Sequence, residues 1–481
     1  MQVFEHLRSL HWILHDYVPR QVAQSPPCPG QLRWEWQEDT LLFTDLAGFT
    51  PLMEANARCG QAGVEAMLAQ INAYFTAMIE ILSKSGGNLL EFTGDAMLVQ
   101  FPADPQHHDI KRAIRAGLRM QRAMEQFTEL PIAGAVYALR MRVGIHRGRF
   151  LRADIGTPLR MEHVLLGQSV QRAKACEGHG QVGRVCLSEA TAQQVAGLFR
   201  FDSWHPGYAL VRDDLSPEQL GEYDLVPPRR RAASNILFDR SPPAIVAAIT
   251  ETLDQLEPLA CYLPPVLLTH VVEHTANRRI PPQFTTPTVA FVSIRGLSEQ
   301  ADLAAPEALP ALIQTFTRLF ALINAATESQ GGILKKITYH LAGSDMMIYF
   351  GIPHYYSDNA LRAATALLTI RTLIQNTPIP VATDTLRCLS CQIGLAQGPV
   401  FAAEIGEARG RREFNILGDA VNTAARLMGQ AGLNQILLTE SVYHAVVDRF
   451  PAIPLGKLAL KGKSQPLSVF ELCPPSGGPD D

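Results

Sequence analysis

The sequence predicts an α/β fold built twice: two sandwiches in tandem, each a sheet with helices packed against it. The first observation is a long-period repeat. "GIHRGRFLRADIG" (144–156) and "GLAQGPVFAAEIG" (394–406) both run glycine, aliphatic, glycine four on, then an acidic residue before Ile-Gly. A second matched pair, "VLLGQSVQRAKA" and "NILGDAVNTAAR", follows each, while upstream "FTDLAGFT" pairs with "FVSIRGLS" and Gly86-Gly87 with Gly331-Gly332. An offset of roughly 250 residues is too long for a solenoid and suits a duplicated domain. The second observation is that strand and helix signals alternate within each copy, as expected for a sheet covered by helices. Third, 481 residues with 47% hydrophobic and 18% charged side chains supply enough apolar chain for two cores.

In chain order, residues 1–31 are predicted as an N-terminal helical segment and 32–227 as the first copy. That copy opens with a strand at 40–45. In "VEAMLAQINAYFTAMIEIL", Val64, Met67, Leu68, Ile71, Phe75, Met78, Ile79 and Leu82 recur on a 3.6-residue period, which predicts a core-facing helix. A glycine turn, a strand at 88–92, a tight "TGDA" turn and a strand at 97–101 read as a hairpin with Gly94-Asp95 at its tip. An amphipathic helix over 108–127 and a strand at 139–146 complete the series. Residues 228–285 mix Pro- and Arg-rich linker with an apolar stretch, "AIVAAITETLDQLEPLACYLPPVLLTHVVEH", predicted as packed helices. The second copy spans 286–473, and "CPPSGGPDD" closes the chain as a disordered tail over 474–481.

Composition excludes several function classes. A net charge of -4 gives no electrostatic footprint for nucleic acid or an anionic membrane. The run "RRR" at 229–231 lies beside Pro227 and Pro228 and reads as solvated linker. No uninterrupted apolar stretch approaches the ~20 residues of a spanning helix, and no signal-peptide pattern opens the chain, so it is predicted to be cytoplasmic. The 8 cysteines are scattered, as suits reduced thiols. "CLSC" at 388–391 has metal-like spacing but no second Cys or His pair beside it, and it is predicted as buried strand cysteines rather than a zinc site.

The chemistry begins at "LLFTDLAGFT", where an apolar strand delivers Asp45 and then breaks into a small-residue turn. A lone strand-end Asp caps a turn more often than it catalyses. Here a second carboxylate, Asp95, stands at a hairpin tip, and an α/β sheet can bring both to one edge. Magnesium takes oxygen ligands, commonly one or two carboxylates plus substrate phosphates. Ala47 and Gly48 would let the backbone N–H groups of Ala47, Gly48, Phe49 and Thr50 approach an anion ahead of a helix N-terminus.

These segments carry a resemblance. "FTDLAGFT", "GGNLLEFTGDAMLVQF" and "REFNILGDAVNTAARL" resemble the signature segments of class III nucleotidyl cyclases. The tandem layout and "FGIPHYYSDNALRAA" make the soluble, bicarbonate-responsive type of adenylyl cyclase the most similar. The resemblance covers about residues 38–225 and 285–472, with several motifs in the family's order. It implies two ferredoxin-like βαββαβ domains in a head-to-tail pseudo-twofold pair within a monomer. It further implies ATP as substrate and two Mg²⁺ or Mn²⁺ ions held by Asp45, Leu46 and Asp95.

The copies differ where chemistry is expected. The second has Ser293 in place of Asp45, and "AGSDMM" in place of "TGDAML", with Ser344 after the glycine and Asp345 displaced by one. Conversely, Asn422 and Arg426 match the family's ribose-orienting Asn and transition-state Arg, where the first copy has Gln171 and Ala175. By resemblance, Lys335 is the purine-reading lysine, with Lys336 in competition for the register. Asn415 and Ile416 occupy the other base-reading positions. A lysine donates to adenine N1, whereas guanine N1 carries a proton and favours a carboxylate. Lys461, Lys463 and Arg160 are candidates for the polyphosphate. In the pseudo-symmetric second pocket, where relatives bind bicarbonate with Lys and Arg, this chain has Glu91 and Lys174, which implies weak or absent bicarbonate activation. Three alternatives stay open: adenylyl cyclase, guanylyl cyclase, and a non-catalytic nucleotide-binding module.

Overall fold

The structure, a computed structural model, describes residues 2–104, 106, 108–132, 134–221, 239, 241–275, 280–340, 343–379, 387–406, 411–460 and 465–475. It divides into two units. Unit 1 comprises Met1–Arg152, Ser169–Gln283 and Ala403–Asn415; unit 2 comprises Ala153–Gln168, Phe284–Ala402 and Ile416–Asp481.

In unit 1 the predicted series is realised as strand Arg33–Ala47, helix Gly60–Lys84, strands Asn88–Thr93 and Ala96–Phe101, helix His108–Ala123 and strand Arg140–Thr157. The helices form where apolar residues recur on one face. Met67, Ile71, Phe75, Met78 and Leu82 of the long helix are all buried, as are Ile110, Ala113, Ile114 and Leu118 of the next. Strands Arg33–Ala47 and Arg140–Thr157 both run further than the predicted segments. The sheet order, among the described residues, is Asn88–Thr93, Ala96–Phe101, Arg33–Ala47, Arg140–Thr157, Val185–Ser188, Tyr208–Val211, Phe201–Ser203, with Arg160–Leu166 also paired to Arg140–Thr157.

Unit 2 repeats this order strand for strand: Gly332–His340, Gly343–Phe350, Thr288–Arg295, Ser390–Gln397, Gln435–Thr439, Leu467–Leu472, Ala452–Leu458. Each sheet contains a parallel join, Val143 against Val185 in one and Ile393 against Ile436 in the other. A parallel join requires a crossover, and the crossover helices are Gln168–His179 and Asp419–Gln430. A strand glycine lets each helix lie directly on its sheet. A Cβ on Gly144 would stand 2.1 Å from the Glu177 nitrogen, and one on Gly394 would stand 2.2 Å from the Ala424 oxygen. The repeated Gly-aliphatic of the sequence is therefore a helix-docking device.

The inter-copy stretch contains helices Pro242–Ala260 and Pro265–Glu273, and the first packs against the N-terminal helix Gln2–Tyr17. The RRR run and the end of the tail lie outside the described residues. Helices Gly60–Lys84 and Leu309–Ser329 are long and apolar enough to cross a membrane by length and composition. Each covers its own sheet with its apolar face, as core helices of that composition do. Of the CLSC pair, Cys391 is buried and its thiol is pushed up to about 12 by burial, whereas Cys388 is exposed. The expectation of two buried cysteines fails at Cys388, which belongs to a two-residue strand paired only to Pro378–Ile379.

Candidate functional site

The hairpin predicted around Gly94-Asp95 forms, with Phe92 opposite Met97 and Thr93 opposite Ala96. Gly94 takes the positive φ (65°) that the tight turn requires. Strand Arg33–Ala47 lies beside it, with Thr44 opposite Met97, and the Met97 N–H donates to Thr44 Oγ1 at 3.1 Å. Asp45 therefore follows the last register pair and comes to the edge that carries Asp95. Burial first, then the charge of Asp45, raises the Asp95 carboxyl to about 7. The buried Tyr74 hydroxyl is raised by burial and by both acids.

After Asp45 the chain turns at Gly48, whose φ of 90° and position 2.3 Å (for a built Cβ) from the Ala138 carbonyl admit no side chain. Helix Phe49–Ala57 starts at once, with Phe49 and Thr50 in its first turn. Its leading N–H groups have no intrahelical acceptor, the arrangement that suits an anion.

Sequence reasoning missed the counter-charges. Arg142 pairs with Asp45, and its Nε lies 3.1 Å from Glu177 Oε1. Lys174 Nζ lies 2.8 Å from Glu177 Oε2 and 5.5 Å from the Phe43 ring centre. Burial disfavours the charged forms of Arg142 and Lys174, but Glu177 and Asp45 outweigh it, so both are held above their ordinary values. Lys174, expected in the second pocket, thus belongs to the group around Asp45 and Asp95. Glu91 is buried and accepts from the Thr93 hydroxyl. No local pattern marks Arg142, because its partners Asp45 and Glu177 are distant in sequence, whereas Lys174 and Glu177 stand at i,i+3 on one helix.

Asn415 is fully buried, and its Nδ2 donates to the Gly94 carbonyl at 2.7 Å. A carbonyl only accepts, so this contact fixes which end of the amide faces the turn.

In unit 2, helix Asp419–Gln430 carries Asn422 and Arg426 one turn apart on one face, both half-buried. Among the described residues neither side chain has a hydrogen-bond or ion-pair partner. Ile416 is buried. Strand Gly332–His340 carries a bulge between Leu334 and Lys336, matching one between Leu89 and Glu91 in unit 1. Leu334 faces Ile348 as Leu89 faces Val99. The register thus makes Lys336 the counterpart of Glu91, and Lys335 that of the bulged Leu90.

Arg160 is 3% exposed, and its guanidinium donates to Glu162 Oε2 at 2.8 Å, to the Lys335 carbonyl at 2.9 Å and to the Met161 carbonyl. It is a buried bracket on the bulge rather than an open phosphate clamp. Lys461 and Lys463 lie outside the described residues. In the second copy Ser293 faces Asp345 across the sheet, and burial raises the Asp345 carboxyl to about 7. One further group with metal-like spacing, His270, Glu273 and His274, lies on helix Pro265–Glu273 and its C-cap, with the Glu273 side chain mostly exposed.

A sheet of this order defines a class III cyclase-type domain, present here twice, and the first copy carries the acidic pair at neighbouring strand ends. The adenylate and guanylate cyclase catalytic domain family matches residues 35–212 and 281–472, and the chain belongs to that family. It is 22% identical over 412 residues to mouse adenylate cyclase type 10, covering 81% of this chain and 24% of that protein. It is 27% identical over 169 residues to adenylate cyclase 1 of Rhizobium meliloti, covering 34% of this chain and 24% of that one. The chain thus spans about a quarter of the length of these relatives. A solved class III adenylyl cyclase-like ATP-binding protein from Pseudomonas aeruginosa shares the fold, with a TM-score of 0.58, 13% identity and 92% coverage of both chains.

Proposed function

We propose that the chain converts ATP to 3′,5′-cyclic AMP and pyrophosphate. The supporting observation is the acidic pair: two carboxylates close enough that Asp45 helps raise Asp95 to about 7 form a hard, oxygen-only donor set that a divalent ion relieves. Asp45, Asp95 and the main-chain carbonyl of Leu46 would hold Mg²⁺ or Mn²⁺. Bound there, two ions supply Lewis acidity toward the ribose 3′-hydroxyl and charge neutralisation for the triphosphate.

The remaining roles belong to the protein. The N–H groups of 47–50 bind phosphate oxygens at a helix N-terminus. Asn422 orients the ribose so that its 3′-hydroxyl attacks the α-phosphorus in line, an entropic contribution. Arg426, without a partner among the described residues, stabilises the charge that develops on the transferring phosphoryl as pyrophosphate leaves. Lys461 and Lys463 are proposed on the polyphosphate.

For the base, one of the adjacent lysines donates to adenine N1, and the bulge register favours Lys336 over Lys335. With its Nδ2 tied to Gly94, the Asn415 amide directs its oxygen away from that carbonyl, the polarity an adenine amino group needs.

Incubating purified protein with Mg- or Mn-ATP, and separately GTP, and identifying the product by mass spectrometry tests the assignment. Cyclic AMP is expected; cyclic GMP alone would transfer the assignment to a guanylyl cyclase. A second reading, ATP binding without turnover, draws support from the description of the Pseudomonas relative as an ATP-binding protein. Tight ATP binding with no cyclic product would select it.

A further inference from the structure

The N-terminal helix Gln2–Tyr17 ends in polar residues that are almost wholly buried, with Asp16 1% and Tyr17 6% exposed. The Tyr17 hydroxyl donates to Glu404 Oε2 at 2.7 Å, and Arg412 Nη1 donates to Glu404 Oε1 at 2.7 Å. Arg412 Nε lies 3.6 Å from Asp16 Oδ2. Burial, then Glu404, holds the Tyr17 hydroxyl well above its ordinary value, so it stays a neutral donor. Arg411 completes the group: its guanidinium donates to the carbonyls of Asp16, at 3.2 Å, and Tyr17, and reaches the Leu90 carbonyl at 3.4 Å.

Leu90 is the bulged residue of the hairpin that carries Asp95. Four positions after Arg411, Asn415 grips the tip of the same hairpin through Gly94. Segment 411–415 is thus tied to strand Asn88–Thr93 at its bulge and just beyond its end, and the helix terminus ties down the segment. All these residues lie in unit 1. Arg160 bridges to the bulged Lys335 in unit 2 in the same manner. A buried ionic group with this many pairings admits few alternative geometries, and losing one partner strands a charge in a low-dielectric interior.

We propose that Asp16, Tyr17, Glu404, Arg411 and Arg412 form a clasp that positions Asn415 on the Gly94 carbonyl and so sets the purine preference of the site. They are positioning residues. The proposal rests on Asn415 being a base reader, so its test needs one readout that does not require nucleotide at all.

Tyr17→Phe in the full chain keeps the ring and its packing and removes only the hydroxyl. Ile13→Val, on the same helix, trims packing and touches none of the clasp, so it controls for lost stability. Two measurements are made on both: native-state hydrogen exchange of the amides of 90–95, and competition binding of non-cyclisable α,β-methylene ATP and GTP analogues. Tyr17→Phe is expected to speed exchange at 90–95 by about tenfold, the worth of one net hydrogen bond. It is also expected to narrow the ATP-over-GTP binding ratio by about three- to tenfold, while Ile13→Val changes neither. Equal exchange in the two variants overturns the clasp. Faster exchange with an unchanged ATP:GTP ratio overturns the positioning role and leaves a structural anchor. Since neither readout needs turnover, an inactive wild-type enzyme would refute the cyclase reading without deciding this one.

Discussion

Asp345→Asn is a sharp test of how the second copy manages its leftover acid. Asp345 is 1% exposed and faces Ser293 in the sheet register. Burial raises its carboxyl from 3.8 to about 7, against the opposing pull of the Ser293 hydrogen bond and the Arg295 charge. A carboxyl raised on folding keeps its proton in the native state while the unfolded chain releases it near pH 4. Between pH 4 and 7 the native state therefore binds more protons, and stability falls as pH rises. At 1.36 kcal/mol per unit, the loss is about 4 kcal/mol, essentially complete above pH 7. Asparagine mimics the protonated acid and removes the dependence. The variant should match wild type near pH 4 and exceed it by up to about 4 kcal/mol at pH 8, a midpoint shift on the order of 10 °C. The four tryptophans, at 12, 34, 36 and 204, all lie in unit 1, so their fluorescence is blind to this change. Hydrogen exchange of strand Gly343–Phe350 at pH 5 and 8 is the suitable assay. Parallel pH profiles for wild type and variant would refute the reasoning.

The opposite sign is expected in unit 1. His146, 3% exposed with Nδ1 2.7 Å from Ser188 Oγ, is lowered to about 4 by burial and then by the Arg172 charge. The stability it lends is present above pH 6.5 and lost as pH falls toward 4, about 3 kcal/mol in all, so His146→Gln should flatten acid denaturation followed by tryptophan fluorescence. Asp95→Ala and Arg426→Ala should each lower cyclic AMP formation by about a thousandfold with unchanged circular dichroism; turnover within tenfold of wild type would remove that residue from the mechanism. Gly394→Ala should destabilise unit 2 by about 3 kcal/mol, because its Cβ would meet the Ala424 oxygen and Met428 nitrogen of the helix bearing Arg426. Bicarbonate at fixed pH should raise activity little, since the buried, acidic Glu91 repels an anion; a large rise would refute that role for Glu91.

The elements that the sequence revealed are those written in local periodicity. The Gly60–Lys84 helix shows as an apolar stripe, the Asp95 hairpin as a Gly-Asp between two apolar runs, and the duplication as matched glycines. Strand lengths were less legible: the strand predicted at 40–45 begins at Arg33, and that at 139–146 runs on to Thr157, where Arg160–Leu166 pairs with it. Side-chain partnerships were least legible of all. Arg142 reaches Glu177 on the crossover helix 35 residues on, and Tyr17 meets Glu404 across nearly the whole chain. Arg160 is a case in point, since its charge suggested a phosphate ligand while the Lys335 carbonyl and Phe320 ring determine what it does.

The bulge at Lys335 has an evolutionary implication. Successive side chains on a strand point to opposite faces, so sliding that one extra residue a single step would exchange the two neighbouring ammonium groups without altering any codon for lysine. Two lysines side by side therefore keep an ammonium group on either face whichever way the bulge settles, and comparing aligned letters among its kin would not detect such a slip.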